Sequence, residues 1–362
     1  MKIASHELTP CCTHTYNFAV SRAPATIALL LLAASLPAQQ TPPPPPPEAS
    51  GPPPAGDRIT GQTIRVPSNL VNIIATVVTR REKLVTDLDK TEFKVSEDGQ
   101  EQNIAFFARE TDLPLRIGLL LDTSNSIRER LEFEKDAAIE FLHNTLRRRK
   151  DQAFLMIFDN EPAVVQSYTD DAGVLTAAVQ HQRAGGGTAL YDAIIQASAK
   201  LADAPQPADH SAVRRVIVVI TDGDDNLSTG ARGVAVEAAE RAGAAIYCIS
   251  SSTSWVAPEQ YSDSKRRTER KYAKDEADRV LDEFASQTGG RAFFPFSVDD
   301  LGQSFQDIGE ELRNQYSLAY VPPNRPLDGS YRKIRVDVTR KGLVVRARKG
   351  YYAIPPDTKS SH

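Results

Sequence analysis

The chain has 362 residues, 41% of them hydrophobic and 25% charged, a composition that can bury a core and excludes wholesale disorder. Its net charge of −4, from 43 Lys and Arg against 47 Asp and Glu, lacks the basic excess of a nucleic-acid surface. Three cysteines, two of them adjacent at Cys11 and Cys12, exclude a disulfide scaffold and a zinc centre built on several thiolates.

The first element is an address. Ala25–Ala34 is a short apolar run preceded by Arg22 and followed by small residues. It falls short of the about 20 apolar residues that span a bilayer, and it has the layout of a secretory signal peptide over residues 1–38, cut near Ala38. Export is therefore expected, to the periplasm or outside the cell, with no integral membrane segment after cleavage. Residues 39–62 follow as a Pro-rich linker. Nine prolines between Pro42 and Pro54 favour an extended polyproline spacer.

Residues 63–110 read as an N-terminal β segment. Leu70–Val78, Phe93–Val95 and Ile104–Phe107 are rich in β-branched and aromatic residues, and Glu97-Asp98-Gly99 is a turn signal. A segment this small needs support from a neighbour to be stable.

Residues 111–314 alternate apolar strands with amphipathic helices. Strands are expected at Arg116–Leu121, Ala153–Phe158, Ala163–Ser167, Val216–Thr221, Ala245–Ile249 and Ala292–Phe294. Helices are expected at Ile127–Leu146, Ala172–Gln180, Ala189–Leu201, Ala231–Ala242, Glu276–Thr288 and Val298–Asn314. Continuous apolar runs such as Ile117–Leu121 suit strands buried on both faces, so the pattern predicts a doubly wound α/β fold with a mostly parallel sheet. Ser254–Ala273 interrupts this pattern as a charged insertion. Residues 315–354 return to strands at Tyr316–Val321, Ile334–Val338 and Leu343–Ala347, and these are placed to complete a β layer with the N-terminal segment. Residues 355–362 are expected to be a disordered tail.

In open α/β sheets, ligands bind beyond the carboxyl ends of the strands. The first strand of this domain ends in Asp122-Thr123-Ser124-Asn125-Ser126, the loop before the third helix is Gly185-Gly186-Gly187-Thr188, and a later strand ends in Thr221-Asp222-Gly223. Together these loops offer carboxylates and hydroxyls but no nitrogen or sulfur donor. A hard oxygen set suits Mg²⁺ or Mn²⁺. Two carboxylates leave such an ion electrophilic enough to take an anionic ligand from outside.

Asp122-x-Ser124-x-Ser126, Thr188 in a glycine-rich loop and Thr221-Asp222-Gly223 resemble the metal-ion-dependent adhesion site of von Willebrand factor type A domains. The flanks, from EDGQEQNIAFF to QYSLAYVPPN and VRARKGYYA, resemble those of bacterial secreted VWFA-related proteins of the acidobacterial type. The resemblance implies a Rossmann-like α/β fold. It also implies that Ser124, Ser126 and Thr188 are direct hydroxyl ligands, that Asp122 and Asp222 act directly or through water, and that the partner is a protein presenting an Asp or Glu carboxylate. Asp224 and Asp225 depart from the pattern, because added acid beside Asp222 repels such a carboxylate.

Plainer roles exist for each motif. The serines can cap a helix, and the glycines and Asp222-Gly223 can be ordinary turns. A Mg²⁺-dependent phosphohydrolase would want a second Asp two positions after Asp122, where Ser124 stands, together with a nearby lysine. No His follows an apolar strand to act as a general base. The chain is therefore expected not to be an enzyme. A structural envelope protein with a purely stabilising metal is the third reading. Leu301, Phe305, Ile308 and Leu312 form a core-facing helical stripe. Cys248 reads as a buried thiol, His143, His181 and His210 as solvated, and Arg147–Lys150 as a basic run ending a helix.

Overall fold

The computed structural model describes residues 70–110, 113–208, 212–251, 276–295, 297–322 and 326–354. The expected signal peptide, the linker, the insertion 254–273, His210 and the tail 355–362 lie outside the described residues.

The N-terminal segment forms strands β1 (Val71–Thr79), β2 (Phe93–Glu97), β3 (Gln100–Gln102) and β4 (Ile104–Glu110). β2 and β3 make a hairpin whose turn is Asp98-Gly99, with φ of 49° and 82°. Positive φ at both central residues gives the twist that a two-residue hairpin needs, and Asp-Gly supplies it at low cost.

The α/β unit comprises β5 (Leu115–Asp122), α1 (Leu131–Thr145), β6 (Gln152–Phe158), β7 (Pro162–Thr169), α2 (Ala172–Gln180), α3 (Leu190–Ala202), β8 (Arg214–Thr221), α4 (Arg232–Ala242), β9 (Ala244–Ser250), α5 (Glu276–Thr288), β10 (Ala292–Phe293) and α6 (Val298–Arg313). Its sheet runs β10-β9-β8-β5-β6-β7, parallel except for β7, which pairs antiparallel with β6 as an edge hairpin. Alternation along β5 divides its side chains between two cores. Ile117, Leu119 and Leu121 pack with α1 and α6, and Leu120 packs with α3 and α5. Gly118 has no side chain because the Phe154 ring fills that place: a Cβ there would lie 2.6 Å from the ring. The stripe Leu301, Phe305, Ile308 and Leu312 is buried in the first core, and Cys248 in the second. Burial pushes the Cys248 thiol up, which keeps it an unreactive thiol.

The chain then returns through β11 (Gln315–Tyr320), β12 (Tyr331–Val338), β13 (Leu343–Ala347) and β14 (Gly350–Tyr352). Two four-stranded sheets result, ordered β13-β1-β11-β4 and β14-β12-β2-β3. Each sheet takes strands from both flanks of the α/β unit, so the expected joint β layer is present as a sandwich around Ile73, Val77, Phe93, Tyr316 and Tyr351. Inside it Glu97 accepts hydrogen bonds from the hydroxyls of Tyr320 (2.5 Å) and Tyr351 (3.0 Å). Gln315 Nε2 links the sandwich to the α/β unit by donating to Thr76 Oγ1 (2.7 Å) and Tyr247 Oη (3.3 Å), and Arg346 pairs with Glu311 at 2.7 Å.

Two local expectations change. The helix expected from Ile127 begins only at Leu131, after a 3-10 turn at Asn125–Ile127. The backbone amides of Arg128 and Arg130 bond three residues back, and this tighter winding presents Ser124 and Ser126 from a loop instead of from a helix. The basic run Arg147–Lys150 starts just past the C-cap Leu146 and not in the last turn of α1. Arg147 instead grips the Asp151 carboxylate (2.9 Å) and the Leu113 carbonyl (3.1 Å), and Arg149 takes a positive φ of 63°.

Candidate metal centre

β5 is the switch point of the sheet: the chain goes from it to β6 on one side and reaches β8 on the other. Such a point opens a crevice at the carboxyl ends of the strands. Asp122 is the last residue of β5 and is fully buried. Its Oδ1 accepts from the Ser124 amide (2.8 Å) and its Oδ2 from the Thr221 hydroxyl (2.6 Å). One carboxylate thus ties the first loop to the end of β8, where Asp222 follows. The Ser124 and Ser126 hydroxyl oxygens lie 2.9 Å apart.

Backbone bonds dock the glycine loop on the first loop. The Gly185 amide donates to Thr123 O (2.7 Å), and the Asn125 amide donates to Gly186 O (3.1 Å). Gly186 has a φ of 83°, a conformation glycine adopts freely. Gly187 N donates to Asn160 Oδ1 at 2.9 Å, which pins the loop to the β6–β7 turn. Thr188 is buried, and it is locked to the third loop in both directions. Its amide donates to Asn226 Oδ1 (2.9 Å), and its carbonyl accepts from the amides of Asn226 (3.0 Å) and Leu227 (3.1 Å). The structure therefore brings together all three loops carrying Asp122, Ser124, Ser126, Thr188 and Asp222.

The extra acids have separate roles. Asp225 accepts from the Tyr191 amide in the first turn of α3 (3.3 Å) and from the Ser228 hydroxyl (2.6 Å). Its charge faces a helix N-terminus, where anions are stabilised. Asp192 returns the contact by accepting from the amides of Thr229 and Gly230, both at 2.9 Å. Asp224 is exposed, and its amide donates to Asp222 Oδ1 at 3.3 Å.

Burial raises the Asp122 pKa to about 6; the bonds from Thr221 and Ser124 oppose this, and the Asp222 charge adds to it. The sign follows directly. A carboxyl whose folded pKa lies above its unfolded one stabilises the metal-free fold fully below about pH 4. That contribution, on the order of 3 kcal/mol, is lost as pH rises through 6. A divalent cation reverses this penalty, so a buried carboxylate beside the paired Ser124 and Ser126 hydroxyls fits the oxygen-ligand set that Mg²⁺ or Mn²⁺ takes.

Sequence reasoning passed over Glu134 and the asparagines. Glu134 lies in the first turn of α1, 1% exposed, amid the core-facing residues Leu131, Ala138 and Phe141. An acid at an apolar position of a helical stripe was the available signal. Asn160 and Asn226 gave no periodic signal, because each acts through a single loop-to-loop bond. Among the described residues no group of three or more His, Cys, Asp or Glu forms a direct ligand cluster. His143 and His181 are exposed; His143 meets Thr176 Oγ1 at 3.1 Å, and His181 Nδ1 lies 2.5 Å from Ala177 O.

Residues 117–224 match the family model of the von Willebrand factor type A domain. No curated protein sequence matches the chain. Among solved structures, the chain is similar to conserved hypothetical protein BatB from Bacteroides thetaiotaomicron, at 20% identity over 55% of this chain and 100% of that one, with a TM-score of 0.41. It is similar to proximal thread matrix protein 1 from the mussel byssus, described with a zinc-occupied MIDAS motif, at 15% identity over 60% of this chain and 49% of that one (TM-score 0.42). A von Willebrand factor type A protein from Catenulispora acidiphila gives 12% identity over 71% and 72%, with a TM-score of 0.44.

Proposed function

We propose that the von Willebrand factor type A domain of this chain is a non-catalytic, exported protein-binding module. In this reading Asp122, Ser124, Ser126, Thr188 and Asp222 hold one divalent cation, Mg²⁺ or Mn²⁺, and a partner protein supplies an Asp or Glu carboxylate. The observation that carries the reading is the mutual locking of three oxygen-bearing loops at the switch point of the sheet. Asp122 is oriented before any ligand arrives, since both of its oxygens are fixed by hydrogen bonds. Three of the five donors are neutral hydroxyls. The cation, when bound, supplies uncancelled positive charge to an incoming anion, and a charge-assisted contact in a partly dry site can dominate specificity.

The engagement of Asp225 with α3 removes part of the objection that the extra acids raise. The phosphohydrolase reading is disfavoured by the residue two positions beyond Asp122. That residue is Ser124, whose hydroxyl is paired with Ser126. Export rests on the signal-like pattern of residues 1–38, and among the described residues no helix is long and apolar enough to cross a membrane.

Two measurements test the reading. Immobilised protein should retain a partner from cell-envelope extracts in Mg²⁺ and release it in EDTA; equal retention in both rejects metal-dependent capture. Cation affinity, read by titration calorimetry, should fall about tenfold between pH 7 and pH 5, because a proton and a cation compete for Asp122, whose pKa is about 6. An affinity that does not change over that range removes Asp122 from the ligand set.

A further inference from the structure

Buried acids in this protein come with partners. Asp151 is held by Arg147, Arg313 and the Leu115 amide. Glu97 is held by two tyrosine hydroxyls, and Glu311 by Arg346 and the Tyr247 hydroxyl. Glu134 breaks the pattern. Among the described residues it is the one acid with both carboxylate oxygens buried and neither hydrogen-bonded. Lys135, its chain neighbour, is taken up by Glu132 and the Gln182 carbonyl.

The place of Glu134 is specific. It projects from the first turn of α1, the helix that follows the ligand loop. Ser251, just past the end of β9, is also buried with its hydroxyl unbonded. The Ser251 amide donates to Thr221 O at 2.9 Å, so this residue adjoins the strand end that presents Asp222. Burial raises the Glu134 pKa to about 8; the Asp122 and Asp222 charges push it higher, while the Ser251 hydroxyl, close by but outside hydrogen-bond geometry, and the Arg130 charge oppose the shift. Its carboxylate therefore lies within electrostatic reach of both acids of the centre. A carboxylate left without a bond in such a place is costly unless a cation repays it.

We propose that Glu134 is a third anionic group of the metal centre, acting on the cation through an intervening water and tightening the site for a divalent ion. The inference rests on the metal-site reading above. Among the described residues Glu134, Asp122 and Asp222 do not form a direct three-acid ligand cluster, so the proposal places a water between Glu134 and the cation. Outer-shell groups of this kind orient the inner ligands and complete the charge balance, and their loss typically weakens metal binding about 10–100-fold.

The test compares wild type with Glu134→Gln and Glu134→Ala, titrating Mg²⁺ and Mn²⁺ by calorimetry and recording melting temperatures in EDTA. The glutamine keeps the shape and removes the charge. At least a tenfold loss of cation affinity is expected, together with a chelated protein that melts higher than chelated wild type. Opposite signs in the two readouts are not expected of a packing residue. A smaller loss of affinity, or a chelated variant that melts lower, overturns the proposal. The alanine variant decides the same question should the glutamine variant fail to fold. A wild type that binds no divalent cation sinks the metal centre itself, whereas a wild type that binds and a Glu134→Gln that binds equally sinks only the role of Glu134.

Discussion

Asp122→Ala is expected to abolish measurable divalent-cation binding, at least about a hundredfold loss, while the chain stays folded. The loss should exceed the roughly 10–100-fold of an outer-shell change, because the proposal counts the Asp122 carboxylate among the five groups that hold the cation. The fold survives because two effects oppose each other. Alanine leaves the Thr221 hydroxyl and the Ser124 amide without their acceptor, at about 1–3 kcal/mol each. It also removes a carboxylate whose burial is unfavourable when ionised, as its raised pKa records. Calorimetric titration with Mg²⁺ and a thermal melt in EDTA read the two halves of the prediction. Binding retained within tenfold of wild type contradicts the assignment of Asp122. An unfolded variant would mean that the residue is chiefly architectural, and Asp122→Asn then repeats the binding test with a neutral amide whose oxygen keeps one acceptor position and whose NH2 donates to the Thr221 hydroxyl once that hydroxyl turns to accept.

Asp151→Ala is expected to act the other way, costing about 3–5 kcal/mol of stability and leaving cation affinity untouched. Asp151 is fully buried and joins three elements: the Leu115 amide at the start of β5 (2.8 Å), Arg147 after α1 (2.9 Å) and Arg313 at the end of α6 (2.6 Å). These bonds hold its carboxyl below the usual range against the opposing effect of burial. For a depressed carboxyl the stabilisation is present above about pH 4 and is lost as acid takes the pH through the folded value. Removing it takes the counter-charge from the largely buried guanidinium of Arg313, which keeps only a neutral acceptor at the Thr145 carbonyl. Leu115 and Asp122 are opposite ends of one strand, roughly 23 Å apart at 3.3 Å per residue, so the metal centre is out of reach. Urea unfolding measures the loss. A change under about 1 kcal/mol would show that the cluster contributes little beyond its desolvation cost.

The parts of this protein that were legible in the sequence are those governed by repetition. Leu115–Asp122 and Arg214–Thr221 are apolar on both faces and end in acids or hydroxyls, so the carboxyl ends of such strands pointed to an oxygen-lined site, and resemblance to the adhesion-site motif then named the five proposed ligands. Features governed by single contacts were not legible. β3 and β14, at three residues each, are too short to carry a period. The start of α1 was misplaced because Ile127 fits a helical stripe, yet the loop winds tightly ahead of Leu131 to present two hydroxyls. Arg147 looked like the end of a helix because charge alone cannot reveal a buried carboxylate four residues on. Glu134 was passed over, although an acid among the apolar positions Leu131, Ala138 and Phe141 of one helical face was a signal that could have singled it out.

The interleaving of the two flanks has a consequence for biosynthesis. β1 is flanked by β11 and β13, so residues 71–79 have no strand partner until the chain beyond residue 315 has been made. The α/β unit, whose strands and helices are contiguous, can assemble on the ribosome while β1 and β4 wait as unpaired edges exposed to chaperones or to other chains. Its closure then sets β4 beside β11, with Glu110 opposite Gln315, and templates the last sheets. A truncation near residue 340 would thus strip partners from both ends of the molecule at once, and its signature would be aggregation of nascent chains carrying an already folded α/β unit.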